Sequence, residues 1–335
     1  MSGTATTAAN DLLIRQEIWE DQIKETLKDE LVAMPFVDWI DFPDGETKTI
    51  PSVGDMLADD YTEDTDIQFR PMDTGEFQFS ITEYKSAGTY VTKKKLQDSF
   101  YMERIKATFP QRQERAIMEQ IEAKIWKDPE DVIGTSATET MTINGALHRF
   151  SAGLDDANDV IDLADFAYAK MALQKANVPL TNLIAIIPPE AEFKLATLSN
   201  LVTLDSNPSW SGIVETGLST GTRWINRNVF GFSVYVSDRL PDSDSLAFVP
   251  NALPHRDGST AGPNFNSVAG KPCLFFNSGG GIESPWIGAF RQMPELEMEY
   301  DMKRQTFYSA TTARYGTKLY RPENMVIAHT RLVVS

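Results

Sequence analysis

The sequence is poor in the residues that usually announce chemistry. It has one cysteine, Cys273, and three histidines, His148, His255 and His329. A lone thiol excludes an internal disulfide and any zinc site built from several thiolates. The histidines lie far apart in no metal-ligand spacing, so each reads as a surface or structural residue. Long apolar runs are missing too: nothing approaches the roughly 18 residues of a membrane helix. Residues 1–10 are small and polar, without the basic and apolar regions of a secretory signal; the expectation is a protein made in a cytoplasm, with no membrane contact. Positive charge is also scarce. The 31 Lys and Arg stand against 48 Asp and Glu, a formal net charge of −17, which argues against a general grip on nucleic acid or anionic membrane.

What is there belongs to an ordinary folded chain. With 335 residues, 41% hydrophobic and 24% charged, it can bury a substantial core in one large or two ordinary domains. The charge is unevenly spread. Residues 41–80 hold eleven acids against two bases, Lys48 and Arg70, a balance of −9; residues 93–127 hold five acids against nine bases, a balance of +4. An acidic segment followed by a basic one suits head-to-tail pairing of identical subunits as well as contact within one.

Residues 12–34 have apolar side chains at near-helical spacing, Ile14, Ile18, Ile23, Leu27, Leu31 and Met34, and Pro35 stops this predicted amphipathic helix. Residues 41–84 mix Pro, Gly and acidic clusters with alternating runs such as Phe77, Phe79, Ile81. They predict a two-stranded excursion with an irregular acidic tip near residues 56–66. Its apolar residues are too few for a core of its own, so it invites a partner. A short helix is expected over residues 98–107 and a long one over 109–126, started by Thr108 as N-cap with Pro110 in the first turn and Gln111 at the third position. Ile117, Ile121 and Ile125 mark its core face. A polar connection covers 134–150. A helix over 163–177, a buried strand over 183–187 ended by Pro188 and Pro189, and a helix over 189–198 suggest a compact α/β unit. Residues 200–226 are loop-rich. Strands are expected at 229–236, with Gly231 inside, at 246–249, and, after a loop at 255–268, at 273–276, 287–291, 296–300, 306–315 and 325–328. The fold class is α+β.

A search for chemistry finds bland readings. Cys273 lies in the apolar run CLFF and reads as a small buried hydrophobe. The glycines of NSGGG, at 279–281, lack the Lys-Ser/Thr of a phosphate loop and read as a flexible turn. Asp59, Asp60, Glu63, Asp64 and Asp66 could attract a divalent cation, but without the glycine and closing glutamate of a calcium loop they read as a solvated tip. Lys93, Lys94 and Lys95 read as a solvated helix end or one half of a salt bridge to a partner. No nucleophile and base can be paired. No catalytic, cofactor or metal site is expected.

The order of segments nevertheless resembles a known family. The acidic hairpin of residues 45–84 leads through YKSAGTYVTKKKLQDSF into a helix ending at Trp126. LADFAYAKMALQKANVPLTNLIAIIPPEAEFKL (163–195), NVFGFSVYVSDRLP (228–241) and YGTKLYRPENMVIAH (315–329) follow in turn. This order is similar to the major capsid proteins of tailed bacteriophages with the Hong Kong 97 fold, over nearly the whole chain. The resemblance implies an N-terminal arm (1–40), an extended loop (41–92), a peripheral domain with the spine helix (93–149), an axial domain (150–268) and a return to the peripheral sheet (269–335). It implies a shell of pentamers and hexamers that encloses DNA without reading its sequence, assembled in a bacterial cytoplasm. A wall of negative charge fits, because it lets the polymer slide. The expected partners are further copies, a separate scaffolding protein (the arm helix starts at Leu12, leaving no room for an attached one), a portal and a decoration protein. Crosslinking between subunits is not carried over, since Lys48 and Lys85 have no identifiable partner. Inter-subunit contacts are expected from Asp59, Asp60 and Asp64 against Lys93, Lys94 and Lys95, and from Ile18 and Leu27 on the arm. Two alternatives stay open: a cellular nanocompartment shell of the same fold, and a strand-rich enzyme or binding protein.

Overall fold

The computed structural model describes residues 31–42, 45, 47–53, 60, 63, 66, 74–98, 102–154, 159–197, 224–258, 262–279 and 283–332. Residues 12–30 of the predicted helix and most of the acidic tip lie outside them; the last residues expected in that helix, 31–33, are not helical, and Met34 opens a 3-10 turn. After a 3-10 turn at Met34–Phe36, β1 (Val37–Trp39) leads to the hairpin β2 (Thr47–Val53) and β3 (Thr74–Ser80), then β4 (Glu83–Thr92), α1 (Lys93–Asp98) and α2 (Met102–Ile133). The short strands β5 (Thr142–Ile143), β6 (Ala146–Leu147) and β7 (Arg149–Ser151) precede α3 (Leu163–Lys175), β8 (Leu183–Ile187), α4 (Pro189–Thr197), β9 (Trp224–Val229) and β10 (Phe232–Val236). The chain ends with β11 (Gly270–Asn277), β12 (Trp286–Asp301), β13 (Thr306–Leu319) and β14 (Met325–Arg331).

Two sheets organise these elements: a six-stranded one in the order β7-β14-β11-β8-β10-β9 and a four-stranded one in the order β1-β12-β13-β4. The six-stranded sheet is buried on both faces, and its sequence shows why. Strand side chains alternate between faces. In β8 the residues Leu183, Ala185 and Ile187 join a core with α3 and α4, while Ile184 and Ile186 join a second core with α2. In β11, Cys273 and Phe275 take the first side and Leu274 and Phe276 the second; in β14, Val326 and Ala328 face Met325 and Ile327 across the sheet in the same way. Continuous apolar runs are what a two-sided strand requires. The second core also takes in Ala33, Phe36 and Val37, so the last residues of the expected arm are built into the wall of the domain. The sheet further joins β11 and β14, from the segment expected to return to the peripheral sheet, to β8 and β10.

Helix α3 begins at a reciprocal capping box between Asp162 and Asp165 and ends before Asn177, whose positive φ of 58° makes the turn that reverses the chain. Several expected boundaries are corrected. No break falls at Thr108: α2 runs 32 residues, Met102–Ile133, through both Pro110 and Pro129. An interior proline costs a helix about 3 kcal/mol. Ile117, Ile121, Ile125 and Trp126, all buried against the sheet, outweigh that locally unfavourable choice. The single strand expected at 229–236 is the hairpin β9–β10, turned at Phe230 and Gly231, both with positive φ. Strands expected at 287–291 and 296–300 are one strand, β12, which passes Pro294 by a register irregularity between Gln292 and Glu295. No strand forms at 246–249; a 3-10 turn at Ser243–Ser245 precedes it.

Candidate assembly surfaces

Polar residues in this chain serve two separate ends, joining the sheets internally and dressing the four-stranded sheet externally. Internally, Glu130 near the end of α2 forms ion pairs with His329 of β14 at 2.8 Å and Arg149 of β7 at 3.0 Å, with all three buried. Arg149 also donates to the carbonyls of Ser136, Glu139 and Phe248. Burial works to raise the Glu130 carboxyl, but the His329 ring and the Arg149 guanidinium outweigh it and hold it below the usual carboxylate range. The His329 Nδ1 meets Ser243 Oγ at 3.2 Å. Serine, imidazole and carboxylate thus stand in a row, yet Ser243 and His329 are 0% exposed, so no substrate can reach the hydroxyl. The row ties helix, sheet and loop together. His148 Nδ1 donates to the Met325 carbonyl (2.8 Å) and His255 Nδ1 lies 3.2 Å from Ser151 O, so all three histidines are structural and buried, not surface residues.

A second tie holds α3. Arg256 reaches Asp162 at 2.9 Å and Asp165 at 2.6 Å, and Asp165 also accepts from the Gly153 amide. Burial first, and then the neighbouring Asp162, push the Asp165 carboxyl above its ordinary value. The buried Cys273 thiol is likewise pushed up by burial, which fits the small-hydrophobe reading.

Externally, the four-stranded sheet carries different features at its two ends. At one end the β2–β3 hairpin crosses its face. Ser80 and Ile81 lie over Gly316, where an added Cβ would stand 2.8 Å from the Ser80 carbonyl. Farther along, Lys318 donates to Gln78 O at 3.1 Å, and the rings of Phe77 and Tyr320 meet edge-on at 4.9 Å. These contacts advance along the end of β13 from Gly316 and just past it to Tyr320, so the hairpin heads away from the Thr306 end. Only a small satellite core, Phe42, Phe79, Ile81, Ile287 and Ala289, roots it. At the other end, the turn between β12 and β13 meets the start of α1, where the Lys93 amide donates to Gln305 O at 2.8 Å. Lys93, Lys94 and Lys95 are exposed there, beside Lys303 and Arg304 of the turn. The outer face between the ends shows Tyr84 and Tyr90 on β4, both largely exposed.

Of the contact residues expected from the sequence, Lys93, Lys94 and Lys95 form the exposed start of α1, and Asp60 is exposed. Asp59, Asp64, Ile18 and Leu27 lie outside the described residues. Sequence reasoning missed Lys303 and Arg304, which lie some 200 positions from the lysine run and join it only through the pairing of Thr92 with Thr306. It also missed the Glu130, Arg149 and His329 tie, because no local spacing relates those residues.

An α+β chain with a two-sided central sheet, a long helix across it and a hairpin rooted on a second sheet has the build of a shell subunit. The sequence matches the family model described as phage capsid protein over residues 76–328, well over half of its length, and the chain belongs to that family. It is a major capsid protein that forms the virion shell. Solved structures agree in fold. The capsid of cyanophage P-SCSP1u superposes with a TM-score of 0.67 at 13% identity, covering 98% of this chain and 96% of that one. A protein of Mycobacterium phage Che8 gives 0.63 at 17% identity, covering 93% and 96%. The capsid of cyanophage Pam1 gives 0.61 at 13%, covering 100% of each. At such identities the likeness concerns the fold, which is of the Hong Kong 97 type. No curated protein matches the sequence.

Proposed function

We propose that this capsid protein tiles an icosahedral head, as pentamers and hexamers, around the double-stranded DNA of a tailed phage. Residues 150–268, joined in their sheet by β11 and β14, act as the axial part around the symmetry centres, 93–149 and the rest of 269–335 as the peripheral part, 41–92 as the extended loop that lies on a neighbour, and the residues before Ala33 as the arm. The observation that carries the reading is the β2–β3 hairpin, which leaves the body of the subunit with only a satellite core at its root. An isolated two-stranded ribbon is marginal in water and gains its order from a surface to lie on. The net charge of −17 supports a container that does not grip phosphate. Assembly in the host cytoplasm on a separate scaffolding protein, with a portal at one vertex and a decoration protein outside, completes the proposal. Production of the chain in bacteria with and without a scaffolding protein, followed by electron microscopy, tests it: closed particles of uniform size are expected. Only amorphous aggregate or monomer in both preparations contradicts it.

A further inference from the structure

Helix α2 packs on the sheets with side chains at intervals of four: Ile125, Ile121 and Ile117 are buried, and Gln113 and Phe109 continue the stripe toward its start. Gln113 Nε2 donates to Ser309 O at 3.0 Å, and its Oε1 accepts from the hydroxyls of Ser309 and Thr311 at 3.2 and 3.1 Å. Past this seal the packing opens. Between Phe109 and the four-stranded sheet lies a cavity of about 410 Å³. Its floor is two cross-strand rows, Tyr300–Phe307–Val91 and Met298–Ser309–Thr89. Glu299 and Tyr308 alternate to the opposite face and give the wall only their backbone. The Ser309 hydroxyl is held by Gln113 and the Tyr300 hydroxyl donates to Gln305 at 3.1 Å, so the floor offers mostly apolar surface. Met298 is 65% exposed and Phe307 36%, which leaves the cavity open to solvent. Sites that take small molecules span about 300–1,000 Å³.

One mouth of this cavity carries charge. The row Tyr300–Phe307–Val91 lies near the end of the strands, and exposed cations stand within a few residues of each member: Lys303 after Tyr300, Arg304 before Phe307, and Lys93, Lys94 and Lys95 after Val91. The Lys93 amide, bonded to Gln305 O, holds the two halves of this tip together. Four of the five cations have no ion-pair partner among the described residues, and Arg304 pairs only with Asp301, at 4.0 Å. The Asp301 carboxylate also accepts from the amides of Lys303 and Arg304. In a chain of charge −17 the tip is a local inversion of sign. An apolar cavity beside unpaired cations defines one kind of ligand. A neutral apolar molecule leaves the cations unused, and a small anion leaves the cavity unused.

We propose that the cavity between Phe109 and the sheet binds a single-chain anionic amphiphile, with its alkyl chain over Met298, Phe307 and Val91 and its head group at Lys303, Arg304 and the lysine run. Carboxylate-headed and phosphate-headed chains share this chemistry. The chain supplies the affinity, since each methylene taken from water adds to it, and the head sets the direction of entry. The site belongs to the single subunit, and the inference goes beyond the shell reading without resting on it.

Isothermal titration calorimetry of the full-length chain tests it with three probes, hexanoate, octanoate and 1-octanol. Octanoate is expected to bind saturably at one site, about fifteenfold tighter than hexanoate for its two extra methylenes. Added salt is expected to weaken octanoate and leave octanol unchanged. Two variants at exposed positions separate chain from head, each first shown by circular dichroism to melt with the wild type. Lys303→Ala with Arg304→Ala is expected to weaken octanoate about fivefold and leave octanol unchanged. Met298→Glu, which sets a charge in the floor, is expected to weaken both by more than about tenfold. Octyl phosphate in place of octanoate then names the head group, by which of the two binds tighter. Absence of saturable octanoate binding to the wild type overturns the proposal, whatever the variants do. So does equal weakening of octanoate and octanol by the tip variant, or a Met298→Glu chain that binds as the wild type does. Binding to vesicles of anionic phospholipid without binding of octanoate also overturns it, and assigns the cations to a lipid surface instead.

Discussion

At the scale of single residues, the buried tie at Glu130 decides how the long helix stays on the central sheet. Glu130→Gln leaves the Arg149 guanidinium buried without its charge, and breaking a buried pair costs about 3–5 kcal/mol. Urea unfolding is expected to show a loss of that order at neutral pH. Because the Glu130 carboxyl is held below its ordinary value, its stabilisation is present above that value and is lost as pH falls through the folded one. The variant should therefore lack that part of the acid destabilisation. Asp128 behaves in the opposite sense. Burial pushes its carboxyl up to about 6, against the pull of Lys124 at 2.8 Å. Between about 6 and the ordinary 3.8 the folded chain binds a proton that the unfolded chain does not, so this group's contribution to stability rises as pH falls across that window. Asp128→Asn removes the titration. The stability of the variant relative to the wild type is expected to decline from pH 7 to pH 4; a constant difference would show that Asp128 titrates normally. None of this was readable beforehand, because Glu130, Arg149 and His329 meet only once the sheet order is known.

At the scale of elements, the sequence was most legible where side-chain alternation and proline punctuation act together. Residues 183–187, an apolar run stopped by Pro188 and Pro189, are β8 with the expected bounds, and α3 ends within two residues of expectation. Legibility failed where a local rule was overruled at long range. Pro110 looked like a helix start, yet α2 passes through it because four core side chains beyond it are buried together. Pro294 split one strand into two on paper, whereas β12 absorbs it as an irregularity. The Phe230 and Gly231 turn was hidden by the apolar residues on either side. The same scale locates a test of the hairpin root. Gly316→Ala places a methyl 2.8 Å from the Ser80 carbonyl, and backbone cannot swing aside as a side-chain end can. The expected outcome is a chain whose two main cores melt as in the wild type, whose β2–β3 hairpin is cut faster in limited proteolysis, and whose assembly is impaired. Unchanged cleavage would show that the hairpin does not depend on that close approach.

At the scale of the whole molecule, the described residues form a body around two main cores, with a hairpin rooted on a small third one. The two main cores meet on opposite faces of one sheet and close the body. The β2–β3 hairpin and the cationic tip lie outside both of these cores. Contacts between copies through exposed charges predict a marked dependence on salt, since exposed pairs are worth about 0.2–1 kcal/mol each and are screened over roughly 8–10 Å. Raising ionic strength is therefore expected to raise the concentration at which shells first form, as followed by light scattering; a salt-independent threshold would place the register in apolar contacts alone. The family and the fold were legible in the order of segments, while the composition of the tip was not, because its halves come from distant stretches of chain. The most direct test of the central claim is sedimentation velocity across a wide range of concentration, with scaffolding protein present. The account predicts a boundary of large closed particles growing at the expense of small species. A 37.4 kDa monomer persisting at every concentration would contradict it.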